Sequence, residues 1–159
     1  MKPRHLAGVL CALLLACVGP ARAETVVLDD SRSYTTPPDA QMQWLPLRGT
    51  DRPGGMEAWV RVNILIDTSP WIGRSGRIYM ALSRDQASTI EAQWATDGRL
   101  LAGQLRSGER TLVWAGLIQG DTLSDQMVVR LRSGPDWQGQ NRRLNFSFEL
   151  DLDRATTTP

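Results

Sequence analysis

Three carboxylates at alternating positions, Glu149, Asp151 and Asp153, form the most chemically suggestive pattern in this 159-residue chain. On an extended strand they project from one face, roughly 7 Å apart. With Asp121 or Asp125 and loop carbonyls they would offer the hard oxygen donors that calcium takes. No Asp-x-Asp-x-Asp-Gly loop accompanies them. The simpler expectation is therefore a solvated strand face whose charge deters edge-to-edge aggregation, with no metal bound. Paired carboxylates also hydrolyse glycosides, one as acid and one as base. Nothing selects a pair among the 17 acidic residues.

The other groups that usually move protons or attack substrates are placed at the start. Lys2, His5, Cys11 and Cys17 are the only lysine, histidine and cysteines, and all precede Glu24. That stretch reads as a secretory signal spanning 1–23. Lys2 and Arg4 supply the positive start, Leu6 to Val18 the apolar run, and Ala21, Arg22 and Ala23 a small-x-small cleavage site. The run is too short for a membrane anchor. A second processing route is written in Leu14, Leu15, Ala16 and Cys17, which resemble a bacterial lipobox and would place a lipid on Cys17. From Glu24 onward no imidazole, thiol or amine side chain remains. Serine turns such as Ser107-Gly108 and Ser133-Gly134 lack an activating base, and zinc lacks its common ligands. The expectation is a non-enzyme that needs no cofactor.

Composition narrows the partners. Without Lys2, Arg4 and Arg22 the chain keeps 15 cations against 17 carboxylates, a net charge of about −2. That is no electrostatic footprint for nucleic acid or anionic lipid. All 15 cations are arginines, which codon use in a GC-rich genome is enough to explain. Without cysteine after Cys17, the fold must hold by packing alone.

Binding candidates come from aromatics on loops. In the turn Ser69 to Arg74, Trp71 and Ile72 sit beside Arg74 between Pro70 and Gly73. Apolar side chains on such a loop either pack on the domain's own core or meet a partner. Trp137, in the polar loop from Gly134 to Asn141, is the second candidate. Trp59, Trp94 and Trp114 lie on strands and are expected to be packing residues.

The elements that must position these residues are strands. Val60, Val62, Ile64 and Ile66 alternate with Trp59, Arg61, Asn63, Leu65 and Asp67; Ile78, Met80 and Leu82 alternate with Arg77, Tyr79 and Ala81. Asp97-Gly98 signals a two-residue hairpin between Ser88–Thr96 and Leu100–Leu105. Arg110 to Ile118 is apolar on both faces, which predicts a central strand covered on both sides or lying near an interface. Leu144, Phe146, Phe148, Leu150 and Leu152 alternate with polar residues in the cleanest strand of all.

The pattern predicts an all-β chain: one antiparallel β-sandwich of immunoglobulin-like architecture, or a small barrel, with seven to eight strands. An arm over 24–40, flexible or paired along a sheet edge, precedes the body at 41–153, and a polar tail follows at 154–159. The expected role is that of an exported, periplasmic or secreted protein of the bacterial cell envelope. It would be an accessory, inhibitor or assembly module that engages another envelope or secreted protein through a strand edge or the Trp71 loop. Two alternatives stand beside it. One is a fimbrial or adhesin-like subunit that donates its arm and forms homo-oligomers by strand exchange. The other is a polysaccharide-binding module using exposed tryptophan. No nucleic-acid partner and no membrane span are expected.

Overall fold

Alternation along the long segments leaves each with one face that water rejects, and the fold buries those faces against one another. The computed structural model describes residues 24–38, 41–46, 53–84, 89–134 and 146–153. The expected signal at 1–23, Cys17, Trp137 and the expected tail at 154–159 lie outside them. The strands are β1 (Thr25–Val27), β2 (Tyr34–Thr36), β3 (Gln43–Pro46), β4 (Pro53–Asp67), β5 (Ser75–Leu82), β6 (Ile90–Thr96), β7 (Gly103–Arg106), β8 (Arg110–Leu117), β9 (Thr122–Ser133) and β10 (Phe146–Leu152). One four-stranded sheet runs β1-β10-β5-β8. A six-stranded sheet runs β2-β4-β9-β6-β7, with β3 sharing the outer edge of β4. Every pairing is antiparallel. The result is a β-sandwich whose sheets do not close into a barrel.

The core lies where the two inner faces meet. Val60, Ile64 and Ile66 of β4, Met127, Val129 and Leu131 of β9, and Ile90, Ala92 and Trp94 of β6 form one wall. Ile78, Met80 and Leu82 of β5 face them with Phe148, Leu150 and Leu152 of β10. Each buried Val, Ile, Leu, Met or Phe among them contributes about 1.5–3 kcal/mol on burial. Trp94 meets its polar requirement internally, its Nε1 donating to the Leu101 carbonyl at 2.9 Å. Gly103 makes room for that indole: a Cβ there would stand 2.8 Å from Trp94 Cζ2.

The N-terminal arm is paired rather than free. β1 lies on β10 with Thr25 opposite Asp151, Leu28 is buried, and Asp29 bridges Asp67 before β2 joins β4. One flank of the sandwich is thereby crossed from sheet to sheet. The other flank is stitched where β7 and β8 converge, with Leu101 N–H donating to the Val113 carbonyl at 2.7 Å and Thr111 Oγ1 to the Gln104 carbonyl at 2.7 Å.

Three expectations need correcting. β8 is an edge strand of the four-stranded sheet, not a central one. Its two apolar faces arise from a bulge: Ile78 opposes Trp114 while Tyr79 opposes Leu112, so Val113 is supernumerary and turns fully into the core. The Asp97-Gly98 hairpin is wider than two residues, since β6 ends at Thr96 and β7 begins at Gly103. Asp125 holds that wider turn by accepting from Leu100 N–H at 2.7 Å. Trp59 is not a packing residue, for 58% of it is exposed on the outer face of the six-stranded sheet.

Candidate interaction edge

The turn that carries Trp71, Ile72 and Arg74 is rigid for local reasons. Ser69–Trp71 is a single 3-10 turn with Pro70 fixing its start. The Asp67 carboxylate accepts from Ser69 N–H at 2.9 Å and Ser69 Oγ at 2.7 Å, and these bonds hold its carboxyl below the usual Asp range. Thr68, buried behind it, donates its hydroxyl to the Gly120 carbonyl at 2.8 Å and its N–H to the Asp121 carbonyl at 2.8 Å. Trp71 packs, half-buried, against the core. Ile72 does not: it is 54% exposed, and Arg74 beside it is exposed as well.

Two backbone bonds join this turn to the strand β8. Gly73 N–H donates to the Ile118 carbonyl at 2.8 Å, and Ile118 N–H to the Arg74 carbonyl at 2.9 Å. The bond at Ile118 fixes the phase of the ladder. In an antiparallel pair the main-chain groups of successive residues point alternately toward and away from the partner. Ile118 points toward β5, so Leu117 and Ala115 turn their N–H and C=O groups to the open side. The Val113 carbonyl confirms that phase, because its acceptance from Leu101 lies on the open side too. Leu117 is 50% exposed and Ala115 is exposed; both lie on the outer face, opposite Ser75 and Arg77. The structure thus brings together the turn residues Ile72 and Arg74 and an open strand edge at Ala115 and Leu117.

Of the sequence candidates, Ile72 and Arg74 stand at this edge, Trp71 anchors the turn from within, and Trp137 falls outside the described residues. Sequence reasoning missed Ala115 and Leu117 by placing β8 centrally. Their signal was present in the double-faced apolar run, which an interface strand and a buried strand share.

The alternating carboxylates are engaged elsewhere in the four-stranded sheet. Arg110 donates to Asp151 at 3.0 and 3.2 Å and to Glu149 at 3.2 Å, its guanidinium 4.4 Å from the Tyr79 ring centroid. Asp153 pairs with Arg77 at 3.0 Å. Asp151 also accepts from Thr25 Oγ1 at 2.7 Å. Burial pushes the Asp151 carboxyl upward, but the bonds from Arg110 and Thr25 outweigh it and leave it below its ordinary value. Among the described residues no group of three or more Asp, Glu, His or Cys gathers as a metal site. No helix of the described residues is long and apolar enough to cross a membrane.

No protein-family model matches the chain. No curated protein matches it either.

Proposed function

We propose that this chain is an exported envelope module that binds another protein by strand addition at the open edge of β8. The observation that carries the reading is the junction of Ala115 and Leu117, with outward main-chain groups, and the rigid turn presenting Ile72. Strand addition draws affinity from main-chain hydrogen bonds, about 0.5–1.5 kcal/mol each, and specificity from alternate side chains. The leader at 1–23 supports the exported location. The arm supports an acceptor role over a donor one, since β1 and β2 already occupy edges of their own sheets.

Ala115→Pro is the sharpest test. Its N–H faces away from β5, so proline removes an outward donor and leaves the β5 ladder whole. In-cell crosslinking from position 117 recovers the partner, and hydrogen exchange on the purified complex then shows protection at the Ala115 and Leu117 amides. Ala115→Pro and Leu117→Arg lose the partner while keeping the melting temperature. Undiminished binding by both variants, or no added protection at those amides, refutes the reading.

A further inference from the structure

A second surface lies on the opposite face of the molecule. We infer that the outer face of the six-stranded sheet binds an acidic glycan, a polymer whose sugar rings carry carboxylates, with Trp59 as its stacking platform.

Register builds the site. Trp59 on β4 stands opposite Arg130 on β9, which stands opposite Gln93 on β6, which stands opposite Gln104 on β7. These four form one row across the sheet, spanning three strand spacings or roughly 14 Å. Arg130 is half-buried, and the others are open to solvent except for the anchored edge of the indole. A row that starts with an aromatic plane and continues through a guanidinium and two amides matches an extended sugar chain. Such a chain presents a C–H face to stack and hydroxyls to bond at regular intervals.

The indole is held in place. Its Nε1 donates to Glu57 Oε1 at 3.0 Å, and the Arg130 guanidinium carbon lies 5.4 Å from the ring centroid. Glu57 is the hub, for its other oxygen accepts from Arg130 Nε at 2.6 Å and forms an ion pair with Arg132, whose Nε lies 3.3 Å away. A ring fixed on one side and more than half exposed is pre-organised for a ligand, because little freedom is lost on stacking.

Charge selects the glycan. Arg130 and Arg132 share the single carboxylate of Glu57, and Arg61, exposed two residues from Trp59 on the same face, makes no ion pair among the described residues. Glu91 stands opposite Arg132 and pairs with Arg106, so in this part of the sheet face four guanidiniums meet two carboxylates among the described residues, a local excess of positive charge on a described body that is otherwise acid-rich. Arginine forks take carboxylates at two points.

The probes are oligomers of polygalacturonate and alginate, with cellohexaose as the neutral control and oligo(dT) as the anionic non-sugar control. Titration of the purified protein, followed by calorimetry and tryptophan fluorescence, shows binding to the uronate oligomers that weakens with salt. Trp59→Ala and, separately, Arg61→Gln each reduce that affinity by about tenfold or more, with melting temperatures near wild type. Arg61 holds no element together, so its variant keeps the test informative if Trp59→Ala unfolds. Absence of uronate binding at low salt overturns the proposal, as does binding that neither variant weakens. Equal affinity for cellohexaose overturns the acidic selection, and tighter binding of oligo(dT) overturns the sugar assignment. None of these results bears on partner capture at β8.

Discussion

Arg110 and Asp151 meet through a two-point contact of 3.0 and 3.2 Å, reaching over β5 although 41 residues separate them. Asp151 turns the same oxygen that accepts from Arg110 Nη1 toward Thr25, so one carboxylate clamps β8 to β10 and β10 to β1. Asp151→Ala is therefore expected to loosen the arm first. The loss is about 1–2 kcal/mol, since the Arg110 side is partly open to water and screened. Hydrogen exchange of the amides in Thr25–Val27 rises more than that in β4. Equal changes in both would mean the clamp serves the whole sandwich alike.

Acid acts through the same groups. Asp151 and Glu57 titrate below their ordinary values of 3.8 and 4.5, so the unfolded chain takes up protons before the folded one does. Their contribution is complete above those values and is lost as pH falls through the lower folded ones. No imidazole or thiol occurs after residue 23. Thermal stability is expected to be flat from neutrality down to about pH 5.5 and to drop below pH 4.5. A Tm measured in steps through that range checks it, and a transition near pH 6.5 would contradict it.

Gly76 tests how closely β5 and β10 approach. A Cβ there would stand 2.8 Å from the Asp151 carbonyl oxygen and 2.9 Å from Leu150 Cδ1. Because backbone is one of the obstacles, Gly76→Ala is expected to cost about 1–3 kcal/mol. Urea unfolding should show a lower midpoint with an unchanged slope.

The tryptophans divide by environment. Trp94 is 3% exposed and hydrogen-bonded inside, whereas Trp59 and Trp44 are 58% and 53% exposed. Trp94→Phe strands the Leu101 carbonyl and opens space, a loss of about 1–3 kcal/mol. Trp59→Phe keeps stability within about 0.5 kcal/mol. Acrylamide quenching should fall when Trp59 or Trp44 is removed and rise when Trp94 is.

Much of this was legible where one face is buried and the other wet. The alternation in Phe146–Leu152 and Val60–Ile66 gave both strand and inward face, because period two leaves only one orientation that buries the apolar set. The same alternation put Trp59 beside Arg61 and Asn63 on the polar side, so its exposure was written in the register even though its residue type argued for packing. β8 resisted because a bulge at Val113 reverses parity mid-strand, and a bulge depends on a partner strand that local sequence does not name. The Leu100 turn resisted likewise, since it is set by Asp125 from a distant strand. The open edge became visible only when pairing order was known.

Thr25 and Asp151 belong to the first and last strands, and they are neighbours. A polypeptide made from its amino end holds β1 without a mate until β10 has been synthesised. The β1–β10–β5 side of the four-stranded sheet can set only at the finish. That delay makes truncation of the final strand far more damaging than its seven residues suggest.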